Sequence, residues 1–374
     1  MTESLVILGA SARAAAQSAA RAGLRPVCGD MFCDADLPSS TLGQIAHHFP
    51  CDLSSIAEAA PRSAWMFTGG LENYPTLVER ISRRHTLWGT AAGNLKRVRD
   101  PLELGRVLAA AGLRFPECRA AHDGLATDGS WLLKHRRSSG GMKVGEWRGG
   151  TAPHDRGWYY QRRIAGAAHA AVFVASGGRA SLLGITRQLF SSSVDRPFQY
   201  AGSIGPVTLP PGQQSAVCRL GDALAAEFEL RGLFGVDFVA DSEDIWAIEV
   251  NPRYTASVEV LERSLGFNAI EAQREACQKL RLPPPVASSA VVYGKQVCYA
   301  ERPLQIEAAL SESLLDRRGT GLWPAVADIP RPGASISAGQ PVLTVFAEGG
   351  DPATVQTLLR TQVQTIQTLC QNWG

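Results

Sequence analysis

Residues 234–262, FGVDFVADSEDIWAIEVNPRYTASVEVLE, constrain this chain more than any other stretch. They read as two strands joined by a short polar turn. Glu249 and Asn251 stand two apart, so strand alternation sends both to one face. Trp246, Ile248 and Val250 then share the other face, as a core-facing set should. Asp237 joins Glu249 on its face only if the connecting loop holds an odd number of residues. A five-residue loop, 241–245, sets the two acids directly opposite each other. Two carboxylates and an amide oxygen would then converge. An oxygen-only set suits magnesium, which keeps several waters and takes further oxygens from a nucleotide's phosphates. Arg253, just beyond, can meet phosphate charge.

An acid on one strand followed by Glu-x-Asn-x-Arg on the next resembles the metal-binding signature of the ATP-grasp superfamily. The resemblance implies an α/β chain with the ATP-grasp fold. A Rossmann-like α/β domain would precede the nucleotide-binding domain, and a small β-rich domain would follow it. It also implies magnesium–ATP as cofactor, with manganese as a substitute metal, and Asp237, Glu249 and Asn251 as the metal set.

At 374 residues the chain is long enough for two or three domains. Its 45% hydrophobic and 19% charged content is globular. A net charge of +2 gives no case for a nucleic-acid partner. The eight cysteines form no C-x-x-C pair, so neither a zinc site nor a disulfide framework is expected. No leader opens the sequence and no apolar run approaches ~18 residues, which leads us to expect a cytoplasmic protein without a membrane partner.

The expected division is 1–93, 94–282 and 283–374. Leu5–Leu8 reads as a buried strand meeting a turn at Gly9, with Ser11 placed to cap the alanine-rich helix that follows. The segment GASARA lacks the G-x-G-x-x-G spacing of a dinucleotide site. Asp30, Asp34 and Asp36 cluster after the second strand, where either a ligand-contacting or a solvated loop would fit. Gly69–Pro75, GGLENYP, is a candidate substrate loop.

Trp131–Lys134 delivers one lysine from an apolar strand into HRRSSGG. The ammonium supplies charge, and Ser139, Gly140 and Gly141 let backbone N–H groups approach phosphate oxygens. This pairing looks like the ATP-grasp lysine and its glycine-rich loop. By the same resemblance, Lys96 stands near the position of a phosphate-binding lysine. The segment containing Gln161, Arg162 and Ile164 looks like the linker that holds adenine. Two family acids are replaced here, by Gln161 and Ala168. Arg187 is a candidate for phosphate or acyl-phosphate contact.

The activity implied is an ATP-dependent carboxylate–amine ligase working through an acyl phosphate, with Lys134, Arg187 and Arg253 supplying positive charge. Small-molecule acid and amine substrates, and room for a homodimer, go with it. Several segments (GASARAAAQSA, TGGLENYP, YAGSIGP, NPRYTASVE and ADIPRPG) resemble tyramine–glutamate ligases linked to methanofuran-type and tetrahydromethanopterin one-carbon cofactors. That resemblance implies a glutamate-ligating step. The sequence leaves two alternatives open: another ATP-grasp activity, phosphotransferase or carboxyphosphate-forming, and a catalytically silent ATP-binding protein.

Overall fold

The computed structural model describes residues 3–151, 155, 157–191, 193, 195–286, 289–319 and 321–371. The chain opens with β1 (Ser4–Leu8), α1 (Arg13–Arg21), β2 (Arg25–Asp30), β3 (Leu42–Ile45), α2 (Asp52–Ala59), β4 (Ala64–Phe67), α3 (Pro75–Ser82) and β5 (Thr86–Leu87). These strands form a parallel sheet in the order β3-β2-β1-β4-β5. Covered on both faces, β1 is buried from Leu5 to Leu8, as an unbroken apolar run requires. Ser11 does not cap α1; the Asp30 carboxylate does, accepting from the Ala12 N–H at 2.7 Å. A neighbouring strand end thus supplies the oxygen expected from Ser11.

Two helices, α4 (Ala92–Val98) and α5 (Pro101–Ala110), lead onward. Asp100 caps α5 through the N–H groups of Leu102 and Glu103, with Pro101 at the first helical position. A small antiparallel sheet follows: β6 (Cys118–Arg119), β7 (Trp131–His135), β8 (Val144–Glu146) and β9 (Trp158–Arg162), in the order β6-β9-β7-β8.

The principal sheet begins with β10 (Ala167–Ser176), β11 (Arg179–Phe190) and β12 (Tyr200–Gly205). After α6 (Pro211–Glu227) come β13 (Gly232–Ala240) and β14 (Ile245–Asn251), then α7 (Ala256–Leu265) and α8 (Ala269–Gln278). The C-terminal part contributes β15 (Val292–Tyr299), β16 (Leu304–Gln305), α9 (Ala308–Asp316), β17 (Val326–Ala327), β18 (Ser335–Ile336), β19 (Pro341–Gly349) and α10 (Pro352–Gln371). Its long strands continue the same sheet, whose order among the described residues is β14-β13-β10-β11-β12-β15-β19-β17.

Alternation along β10 divides the core. Ala171, Phe173 and Ala175 face α6, whose Val217, Leu220, Leu224 and Phe228 are fully buried, and Phe173 stacks on Phe234 at 4.9 Å. Val172 and Val174 face the other way and pack with Val258, Leu261 and Ile270 and with Leu5 and Ile7 of the parallel sheet. That second face, continued past Ala170 and Ala168, becomes the floor of a cleft.

Candidate active site

The cleft has a volume of about 630 Å³ and lies between the principal sheet, the glycine loop after β7 and the loops at the end of the parallel sheet. Asp237 pairs directly with Glu249, and Gly235 with Asn251. The route to that register differs from the expected one. The loop holds four residues, 241–244, because Ala240 pairs with Ile245, and a β-bulge at Ile248 restores the register between Ala247 and Glu249. The bulge also re-sorts the faces. Ile245, Ala247 and Val250 face the core, whereas Trp246 and Ile248 do not. The Trp246 indole donates to Asp241 at 2.9 Å, and Ile248 lines the cleft.

Both oxygens of Asp237 accept hydrogen bonds, from Gln188 at 2.8 Å and from the Asn251 amide at 3.1 Å. Burial, reinforced by the facing Glu249, pushes the Asp237 carboxyl up to about 7, against the pull of Arg253 and Lys134. Burial opposes the charge of Glu249 too, but Arg99, Lys134 and Arg253 hold its carboxyl below the usual range. One acid is thus well neutralised and its neighbour is not. An Asp237 carboxylate beside Glu249 needs further positive charge, and oxygen donors in this arrangement fit a hard divalent cation.

Lys134 is buried on β7 and donates to the Gln161 side-chain oxygen at 2.9 Å. Gln161 in turn reaches the Ile248 carbonyl at 3.4 Å, tying β9 to the bulge. Its oxygen thus already accepts from Lys134, which leaves one lone pair for a further donor. Ser139, Gly140 and Gly141 line the cleft, as do Arg162, Ile164, Ala168 and Arg253. Gly141 has φ +74°, and a Cβ there would lie 1.8 Å from the Phe198 carbonyl oxygen, so the loop's approach to the neighbouring chain requires glycine.

Two expected contacts are overturned. Lys96 is exposed on α4 and does not line the cleft. Arg99, just past that helix, is the cation that arrives. It pairs with Glu249 and donates to Asn73 (3.2 Å) and to the carbonyls of Val250 (3.2 Å) and Arg136 (3.3 Å). Arg187 lies on the opposite side of β11 from Gln188 and donates to Gln356 of α10 at 2.9 Å. Strand alternation makes Gln188, not Arg187, the residue facing Asp237.

The loop after β4 is braced onto these arginines. Glu72, almost fully buried, accepts from Arg253 at 2.8 Å, and the Arg253 guanidinium lies against Gly69. The acids after β2 are not solvated. Asp30, Asp34 and Asp36 are all buried, and Asp36 and Arg13 belong to a charge network with Glu259 and Asp328. Local sequence signalled neither Arg13 nor Asp328 as a partner, since they are separated by most of the chain.

Residues 98–257 match a family model described as an ATP-grasp domain. The fold is similar to that of biotin carboxylase from Campylobacter jejuni in complex with β,γ-ATP, with a TM-score of 0.73 and 16% identity over 95% of this chain and 90% of that one. It is also similar to L-amino acid ligase from Bacillus licheniformis, with a TM-score of 0.70 and 14% identity over 97% of each chain. An uncharacterized protein of Methanocaldococcus jannaschii is 25% identical over 169 residues, 45% of this chain and 39% of the relative's length. Residues 98–257 thus match an ATP-grasp domain, within a fold shared along nearly the whole chain with that carboxylase and that ligase.

Proposed function

We propose that the protein is an ATP-dependent carboxylate–amine ligase. The observation that carries the reading is the pairing of Asp237 with Glu249 at the floor of the cleft, one acid pushed up to about 7 by burial and by the facing carboxylate. Asp237, Glu249 and Asn251 would hold magnesium, or manganese in its place. When bound, the metal would supply Lewis-acid neutralisation of the phosphate oxygens.

The side chains present fit the remaining work. Lys134 and the backbone of Ser139, Gly140 and Gly141 would hold the phosphates, while Arg162, Ile164 and Ala168 would border the nucleoside. Arg253, pinned by Glu72, would meet the charge that develops as a substrate carboxylate oxygen attacks the γ-phosphorus and ADP leaves. An amine would then attack the acyl carbon, releasing phosphate and losing its proton to solvent. Gln188 and Arg99 would position the acids and are not transfer groups themselves.

The finer reading is that glutamate is ligated in making a methanofuran-type one-carbon cofactor. The five short segments that resemble tyramine–glutamate ligases support it. We further propose the three-part division at 93 and 282, with the small-molecule substrate met by the N-terminal loops. The test is ADP release over a panel of acids and amines, with hydroxylamine added to trap acyl phosphate and mass spectrometry of the product. An amide product and a hydroxamate are expected. Phosphate transfer to a substrate without amide formation would favour a phosphotransferase instead.

A further inference from the structure

The cleft does not end at the nucleotide walls. Beyond Arg253 it runs along α7 to a second charged group, Arg13, Lys295 and Asp328, contributed by α1, β15 and the loop after β17. Arg13 is fully committed there: it pairs with Glu259 and with Asp328 (2.9 Å), and also reaches Gln17 (3.3 Å). Its neighbours are not. Lys295 is 6% exposed, carries three donors and has, among the described residues, one hydrogen-bond acceptor, Glu259 at 3.3 Å. Asp328 accepts from Arg13 and from Thr344 (2.6 Å), and its side chain is still 27% exposed. Two lone-pair directions on that carboxylate remain for a donor from the cleft.

A buried ammonium with unused donors beside a partly open carboxylate is a poor resting arrangement, because unmet buried polar capacity carries a desolvation cost. It matches a ligand that carries both charges. Resting on the ligase reading, we propose that this end of the cleft recognises the head of an α-amino acid, its ammonium on Asp328 and its carboxylate on Lys295. A head whose carboxylate is held on Lys295 leaves the amino acid's other end to react, so the α-groups stay free.

The experiment uses the full chain with MgATP and a panel of standard L-amino acids, each compared with its α-methyl ester and its N-acetyl derivative. ADP release and hydroxamate formation are measured for each. The amino acid that turns over is expected to lose at least about tenfold in kcat/KM in either derivative, the loss that follows from one missing charged hydrogen bond. Asp328→Asn should raise KM for that amino acid at least about tenfold while KM for ATP stays within about twofold, since the variant removes one charged contact far from the phosphates. Lys295→Gln serves where Asp328→Asn lowers the melting temperature, with the same split expected. Equal turnover of an ester or an acetylated amino acid, or an unchanged amino-acid KM in both variants, overturns the inference. Absence of hydroxamate from every acid would instead overturn the ligase reading, so the two failures are distinguishable.

Discussion

Two groups of buried charges border one cleft, and their acids are balanced in opposite ways. At the hairpin, Asp237 faces Glu249, and the cations nearby suffice for only one of them. At the far end, Glu259 is surrounded by Arg13, Lys295 and Arg263, which hold its carboxyl far below the usual range despite complete burial. The first pair is short of positive charge in the protein alone. In the second, Glu259 is neutralised within the protein, whereas Lys295 and Asp328 keep unused hydrogen-bonding capacity at the cleft. A buried acid that its neighbours neutralise is part of the scaffold, whereas one left facing another acid waits for a cation.

The sharpest way to break this comparison is Glu249→Gln. It should lower kcat by at least about 10³, the scale of losing one group that stabilises transition-state charge, and should lower the melting temperature somewhat, because Arg99 loses its carboxylate partner. Activity within a few-fold of wild type would remove the hairpin from the reaction. Next in size, Arg13→Met leaves Glu259, Asp36 and Asp328 with less neutralising charge. It should cost about 3–5 kcal/mol of stability, read by denaturant unfolding. If Arg13→Met were as stable as wild type, Glu259 would not depend on Arg13 for its neutralisation.

The pH responses should also diverge. Asp237 has a raised folded-state pKa, so between its ordinary value and about 7 the folded protein retains a proton that the unfolded chain has lost. Its contribution to stability therefore declines as pH rises towards 7. Metal binding must displace that proton, so magnesium affinity should fall by up to about tenfold per pH unit below 7. Titration calorimetry at pH 6 and pH 8 would show it. Glu259 has a lowered pKa, so its contribution is complete above the ordinary glutamate range and is lost only as the solution becomes strongly acidic. The smallest effects belong to Lys96→Ala and Arg187→Ala. Each should leave KM for ATP within about twofold, because neither side chain lines the cleft. A larger change in either would restore it to the nucleotide site.

How much of this was legible in the sequence follows the range of the interactions. The strand lysine, the glycine loop and the Asp–Glu–Asn set were readable because each is written within a single strand-and-loop or hairpin. The bulge at Ile248 was not, because alternation alone cannot show where one residue is left unpaired. It changed which side of β14 faces the core without moving Glu249 from Asp237. Lys96 and Arg99 show a second limit. A basic residue near the start of α4 was expected at the phosphates, but helix periodicity buries Leu95 and carries Arg99 inward while Lys96 points out. Asp30, Asp34 and Asp36 were readable as a cluster only. Their burial follows from partners such as Arg13 and the loop near Asp328, and no local pattern records those.

The most direct test of the central claim is a manganese titration followed by water proton relaxation, in the presence of a non-hydrolysable ATP analogue. Wild-type protein should bind Mn²⁺ in the ternary complex, and Glu249→Gln and Asp237→Asn should each weaken that binding at least about tenfold, as loss of a charged ligand requires. Equal Mn²⁺ affinity in wild type and both variants would contradict the account.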